Sequence, residues 1–195
     1  VTTPASKKSF STFDAYEPSL VRALAAAQLF VRNVKQSAWS GGYCLSFVGV
    51  SGNGKTLLAR MILAELGLDG WGTCTEVKDM IQFGHLHKFT AKLFDLRKVS
   101  DQMKGGQWDL TEAMEEPALA VLDDVGADYD PNKIFASKLD RVLRSRGRKW
   151  TVVTANMPLE EIASKLDTRI ASWLIRDENK LVQIQAGDYA LRTKD

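Results

Sequence analysis

No stretch of this chain is apolar for long enough to cross a bilayer, and its first residues contain no apolar run of the signal-peptide kind. The reading is a cytoplasmic protein with no membrane partner. Cysteine and histidine are scarce, with two of each. Cys44 sits in an apolar run and reads as core, and with Cys74 it makes neither a disulfide framework nor a zinc set, so a reducing compartment is expected. His85 and His87 flank Leu86 without acidic or cysteine company and read as ordinary surface residues. Charge of one sign is lacking too. The formal net charge is +2, so bulk charge neither argues for nor excludes nucleic acid, and any such site must be a local patch. Internal repeats and low-complexity tracts are absent. The chain opens on Val1 rather than Met, which reads as trimmed or excised from something longer.

What is present is an ordinary globular composition, 45% hydrophobic and 26% charged, over 195 residues, enough for one domain with one sizeable core. Residues 1–17 are expected to be a linker and 18–195 a single domain. Helical spacing of apolar residues marks 18–35, 56–67, 92–104 and 134–146, with short helices at 159–166 and 169–176. Buried strands are expected at 44–50, 117–124 and 149–156. A weaker strand is expected near 87–91, and a last, alternating one at 180–185. Strands that alternate with helices imply an α/β fold with a mostly parallel sheet, whose ligands sit outside the carboxyl ends of the strands.

The chemistry-bearing residues fall at those ends. Gly49, Val50, Ser51, Gly52, Asn53, Gly54, Lys55 and Thr56 fit G-x-x-x-x-G-K-[ST], between a strand and a helix that continues with Leu57. Glycines let the backbone curl so that several N–H groups face one phosphate chain, and the helix N-terminus adds partial positive charge. Lys55 can reach the β- and γ-phosphates of ATP, and the Thr56 hydroxyl can ligate Mg²⁺. LAVLDD ends on Asp123, suited to Mg²⁺, and Asp124, suited to orient the attacking water. A solvated turn is the plainer alternative for that pair. TVVTAN puts Asn156 at another strand end, where an amide can hold the lytic water or simply make a turn. Lys138, Arg141, Arg144 and Arg148 recur at intervals of three or four, while Ile134, Leu139, Val142 and Leu143 would face the core. That basic face is either solvated, a contact for the phosphates of single-stranded DNA, or a subunit contact.

With these residues in view, the chain resembles the AAA+ ATPases of the DnaC/IstB group, the helicase loaders and related transposition helpers of bacteria and phages. The resemblance runs over about residues 10–192. SFSTFDAYEPS (9–19) is similar to the linker that lies against the adenine in this family. VGVSGNGKTLLA is similar to its Walker A, LAVLDDVGAD to its Walker B, and WTVVTANMPLEEIASKLDTRIAS to sensor 1 running into the arginine-finger segment. GDYALR resembles the short tails of phage-type loaders. The resemblance implies a P-loop three-layer sandwich with a five-stranded parallel sheet in the order 5-1-4-3-2 and a minimal or absent lid. It further implies ATP and Mg²⁺ as ligands, weak ATPase activity in isolation, self-association on ATP, and partnership with a replicative helicase and single-stranded DNA. The setting would be a bacterial or phage-infected bacterial cell. The family pattern R-I-x-S-R-[LM] meets Arg169 here but Trp173 at its second arginine. Arg169 is thus the family-matched trans finger and Arg176 the substitute. The separate N-terminal domain by which loaders grip their helicase is absent from this sequence.

Three other readings share the P-loop. A transposition helper would grip duplex DNA and a transposase. A nucleotide kinase would want an acceptor pocket and an arginine-rich lid, which the sequence does not offer. A nucleotide-dependent binding module with negligible turnover would follow from the missing family arginine at Trp173.

Overall fold

The computed structural model describes residues 9–37, 41–67, 80–82, 88–106, 110–126, 130 and 132–191. Cys74, His85, His87 and Arg192 lie outside them. Five parallel strands form the centre: β1 (Cys44–Val48), β3 (Lys88–Asp95), β4 (Leu119–Val125), β5 (Trp150–Ala155) and β6 (Lys180–Gln183). A short β2 (Met80–Gln82) pairs antiparallel with β3, giving the order β2-β3-β4-β5-β1-β6. Leaving out β2, the parallel strands run 5-1-4-3-2 from the β6 edge, as the resemblance implies.

Period-two alternation divides the central strands between two cores. Leu45 and Phe47 of β1, Leu119 and Val121 of β4, and Trp150 and Val152 of β5 point to one face. There they meet α1 (Pro18–Ser37) and α2 (Lys55–Glu65). Cys44 and Val48, Ala120 and Leu122, and Val153 and Ala155 point to the other. That face is covered by α3 (Leu96–Lys104), α4 (Leu110–Glu115), α5 (Ile134–Arg146) and α7 (Thr168–Leu174). Every residue of β1 and β5 is buried, which is why both read as continuous apolar runs rather than alternating ones. Helix α1 starts on Pro18, whose fixed φ suits a first helical turn. It buries Leu20, Ala23, Ala27, Phe30 and Val34, a stripe at helical spacing.

Several boundaries differ from those expected. The helix expected from residue 92 begins at Leu96, because β3 runs on to Asp95 in register with Asp123. After Ala155 come a single turn, α6 (Leu159–Glu161), and a π-helical turn (Ile162–Leu166). Helix α7 ends at Leu174, so Arg176 stands beyond it and does not share a helix face with Trp173. Ile134 is about half exposed instead of facing the core, because α5 only begins there.

The last residue of α5 does structural work that its charge hides in the sequence. Arg146 is 1% exposed. It donates to the carbonyls of Met114, Pro117 and Trp150 and to Thr151 Oγ1, tying α5 to the α4–β4 connection and to β5. Burial lowers its pKa to about 10. Among the described residues, no helix is long and apolar enough to cross a membrane.

Candidate functional site

Residues 49–56 curl between the end of β1 and the start of α2. Gly54, at φ +87°, is the residue from which α2 starts, a left-handed conformation that glycine adopts without strain. Gly49, at φ +143°, passes so close to the chain that a Cβ there would lie 2.2 Å from Ile184 O. The loop therefore needs both glycines. Inside it, the Lys55 ammonium donates to Gly49 O at 3.0 Å, Val50 O at 2.6 Å and Asn53 Oδ1 at 2.8 Å. Lys55 is 3% exposed, and burial pulls its pKa down to about 8 against the opposing pull of Asp124 and Asp123.

The acid pair owes its placement to an irregularity in β4. The β4–β5 register shifts between Leu122 and Val125, and Asp124 takes the left-handed conformation at φ +64°. Such a bulge re-aims side chains, and aspartate tolerates this region better than most residues. Thr154 of β5 fills the gap in the ladder. Its Oγ1 accepts from the Asp124 N–H at 2.9 Å and donates to Asp123 Oδ1 at 2.6 Å. The Thr56 hydroxyl donates to the same carboxylate oxygen at 2.9 Å. Asp123 is 4% exposed, and burial pushes its pKa up despite those two hydrogen bonds. Asn156 Nδ2 donates to Asp124 Oδ1 at 2.7 Å, and Arg97 reaches Asp124 Oδ2 at 3.0 Å.

A cleft of about 410 Å³ opens over these groups, within the usual range for small-molecule sites. Lys55, Thr56, Leu57, Asp124, Asn156 and Arg97 line it, together with Tyr189. The chain after β6 straps across the loop. Ile184 N–H donates to Val48 O and Tyr189 N–H to Gly52 O, while Asn53 Nδ2 donates to Ile184 O. Phe13, from the segment before α1, stacks on Tyr189 with ring centroids 4.9 Å apart, and both rings border Gly54. Asp14 N–H donates to Tyr189 Oη at 2.7 Å.

The remaining expected residues lie elsewhere. Arg169 does not line the cleft over residues 49–56. It pairs with Asp167 at 2.7 Å and more loosely with Asp140, and this contact lowers Asp167 to about 2. Trp173 is 6% exposed in the α5–α7 core and borders a second cleft, which Arg176, Arg144 and Arg148 line. That cleft lies at the opposite end of β1, beside Gly42 and Tyr43. On α5, Arg144 is held by both oxygens of Asp140 and Arg141 by Glu115. Both guanidiniums stay more than half exposed, and Lys138 too has an interaction partner.

Sequence reading missed Thr154 and Arg97. Thr154 lies two residues before Asn156, hence on the same side of a strand, and that alternation was a usable signal. Arg97 follows the end of β3 by two residues, at a strand end where ligands gather, but a helix boundary placed four residues early concealed it.

The donor set fits a nucleotide with Mg²⁺. A glycine loop holds a buried lysine at a helix start, and one buried carboxylate shares a hydrogen bond with a hydroxyl. Burial disfavours that carboxylate's charge, which a cation would offset. Among the described residues no group of three or more Asp, Glu, His or Cys could hold a metal by itself.

No family model and no curated protein matches the chain in sequence. Solved structures do match in fold. DnaI is similar at 18% identity and a TM-score of 0.67, covering 92% of this chain and 89% of that one. The DnaC helicase loader is similar at 22% identity and 0.66, covering 91% and 96%. The replication initiator DnaA bound to AMPPCP and single-stranded DNA is similar at 14% identity and 0.63, covering 94% of this chain and 51% of that one. The chain shares the α/β fold of the DnaC and DnaI structures, with a P-loop at the end of β1.

Proposed function

We propose that this protein binds and hydrolyses ATP at the cleft over residues 49–56, and that it acts in DNA replication as a helicase loader. The observation that carries the enzymatic part is the convergence of Lys55, Thr56, Asp124 and Asn156 on one cleft from three different strand ends, with Asp123 behind it on the Thr56 hydroxyl. The loop N–H groups and Lys55 would bind the phosphate chain, with Lys55 exchanging its carbonyl partners for phosphate oxygens. Thr56 and Asp123 would hold Mg²⁺, which when bound neutralises phosphate oxygens. Phe13 and Tyr189 form an apolar wall beside Gly54 that suits the base. Asp124, oriented by Asn156 and by its own backbone bond to Thr154, takes a proton from water as its oxygen attacks the γ-phosphorus. The bond from that phosphorus to the bridging oxygen breaks, and the electron pair leaves with ADP.

The replication role rests on the resemblance of TANMPLEE and DTRIAS to loader motifs and on the fold shared with DnaC, DnaI and DnaA. It includes self-association on ATP and action on single-stranded DNA or a replicative helicase, with Arg169 or Arg176 reaching a neighbouring subunit. Lys138, Arg141, Arg144 and Arg148 are the residues offered to DNA phosphates. Domain limits of 1–17 for the linker and 18–195 for the ATPase domain belong to the same proposal.

The test is Mg²⁺-dependent phosphate release by the parent and by Asp124→Asn. The variant is expected to keep ATP affinity and to lose roughly 10²–10⁴ in turnover, the usual worth of a positioned base. Parent-like turnover in the variant would remove Asp124 from the reaction.

A further inference from the structure

The β6 edge of the sheet is open, and nothing in the proposed chemistry uses it. β6 stands last in the strand order. Ile184 N–H donates to Val48 O, so the alternation of a parallel ladder turns the main-chain groups of Lys180, Val182 and Ile184 toward β1. Those of Leu181, Gln183 and Gln185 turn outward. The Gln185 N–H is taken by Ser19 Oγ of α1 at 3.3 Å. Among the described residues, no hydrogen-bond partner meets the N–H or C=O of Leu181 or Gln183.

A groove of about 490 Å³ runs along this edge, between β6 and α1. Ala25, Ala26 and Leu29 form its α1 wall, and Leu29 is 40% exposed. Side chains of β6 alternate: Val182 and Ile184 join the core under α1, while Leu181 packs against the other core. A strand added beside β6 would alternate in the same way. Every second side chain of it would then fall on Ala25, Ala26 and Leu29, where the alanines leave room. The charge of the groove has one sign. Arg22 and Lys180 are its charged lining residues, and neither forms an ion pair among the described residues.

These features select an occupant. An open strand edge beside an apolar wall suits an extended peptide, which gains affinity from main-chain hydrogen bonds and specificity from alternate side chains. Two uncompensated cations favour carboxylates on that peptide. A second copy of this chain would bring another Arg22 and Lys180 to the same edge, and a lysine on an edge strand works against such pairing. Residues 1–8 of this chain carry two lysines and no acidic side chain, so they do not match either. We propose that the β6 edge docks an extended, acidic segment of a partner protein, which adds a strand to the sheet and lays its apolar side chains on Ala25, Ala26 and Leu29. This is independent of the ATPase reading.

The probe is a short fluorescent peptide of alternating valine and threonine with a glutamate near each end, beside the same peptide with lysines in place of the glutamates. Binding to the full chain is read by anisotropy, and protection of single amides by hydrogen exchange. The parent should bind the glutamate peptide about tenfold or more tightly than the lysine one, and the peptide should protect the Leu181 and Gln183 amides. Gln183→Pro removes an outward N–H while the bonds to β1 use other residues, so it should lose about tenfold or more in peptide affinity at a parent-like thermal midpoint. Arg22→Glu with Lys180→Glu changes exposed side chains only and should reverse the preference between the two peptides, which keeps the test decisive if the proline variant does not fold. No binding of either peptide at about 1 mM overturns the inference, as do equal affinities for the two or binding without protection of Leu181 and Gln183. Self-association by light scattering that Gln183→Pro abolishes would give the edge to a second copy. A thymidine oligonucleotide that displaces the peptide and is lost on charge reversal would give the cations to nucleic acid. Either result also overturns it.

Discussion

Lys55 and Arg146 are both buried cations bonded to main-chain carbonyls, yet they stand at opposite ends of the sheet and do different things. Arg146 bonds carbonyls of two separate segments, residues 114–117 and Trp150, and does not line the cleft over the motifs. Lys55 bonds carbonyls of its own loop, faces two carboxylates, and borders a cleft. Their pKa values carry the same contrast. Burial lowers Arg146 to about 10, which leaves it charged at any physiological pH, whereas Lys55 at about 8 titrates within reach of it. A buried charge by itself is therefore no mark of a site. What separates the two is whether the partners can be exchanged: the carbonyls of a loop bordering a cleft can give way to phosphate, but the joints between helix and sheet cannot.

The largest effects should come from breaking the structural half of this comparison. Arg146→Met leaves several buried carbonyls without a donor and should destabilise the fold by about 3 kcal/mol or more, read as a lower urea midpoint at unchanged slope. Trp173→Arg should do similar damage, because it takes a ring that is 6% exposed out of the α5–α7 core and puts a charge in its place. In both variants the fraction that remains folded should bind nucleotide as the parent does. A variant that keeps the parent's midpoint would show that its side chain is not needed for the fold.

A smaller effect sharpens the other half. Phosphate favours the protonated form of Lys55, so its pKa in the complex must exceed the value of about 8 in the free protein. Between those two values binding takes up a proton, and affinity must fall as pH rises. Affinity for an ATP analogue should be level up to about pH 7 and should decline by up to tenfold per unit above about pH 8. Titrations across that range in buffers of different ionisation enthalpy would read both the decline and the proton uptake. Level affinity to pH 10 would mean that Lys55 is not the cation engaged.

Much of this site was legible in the sequence because its residues are adjacent there. The glycine loop, Lys55 and Thr56 form one run, and the strands before the loop and before Asp123 are buried on both faces and so read as apolar blocks. The sheet order followed from the resemblance. What stayed hidden depends on contacts between distant segments. Arg97 meets Asp124 only because β3 and β4 pair in register, and Asp124 turns toward it only because β4 bulges. Thr154 acts through that same bulge. Trp173 occupied a motif position and was weighed for its charge, although its spacing from Ile170 placed it on the buried side of α7. The pairing of Arg141 with Glu115 stayed hidden because Glu115 comes from another helix.

The central claim is that the cleft over residues 49–56 is built for the phosphates of ATP and that Lys55 serves the ligand rather than the fold. The most direct test measures, side by side, the affinity of Lys55→Ala for an ATP analogue with Mg²⁺ and its thermal midpoint. The account predicts a loss of about 100-fold or more in affinity, with a midpoint at or above that of the parent because a costly buried charge has gone. Parent-like affinity, or a collapse of the midpoint like that expected for Arg146→Met, would contradict it.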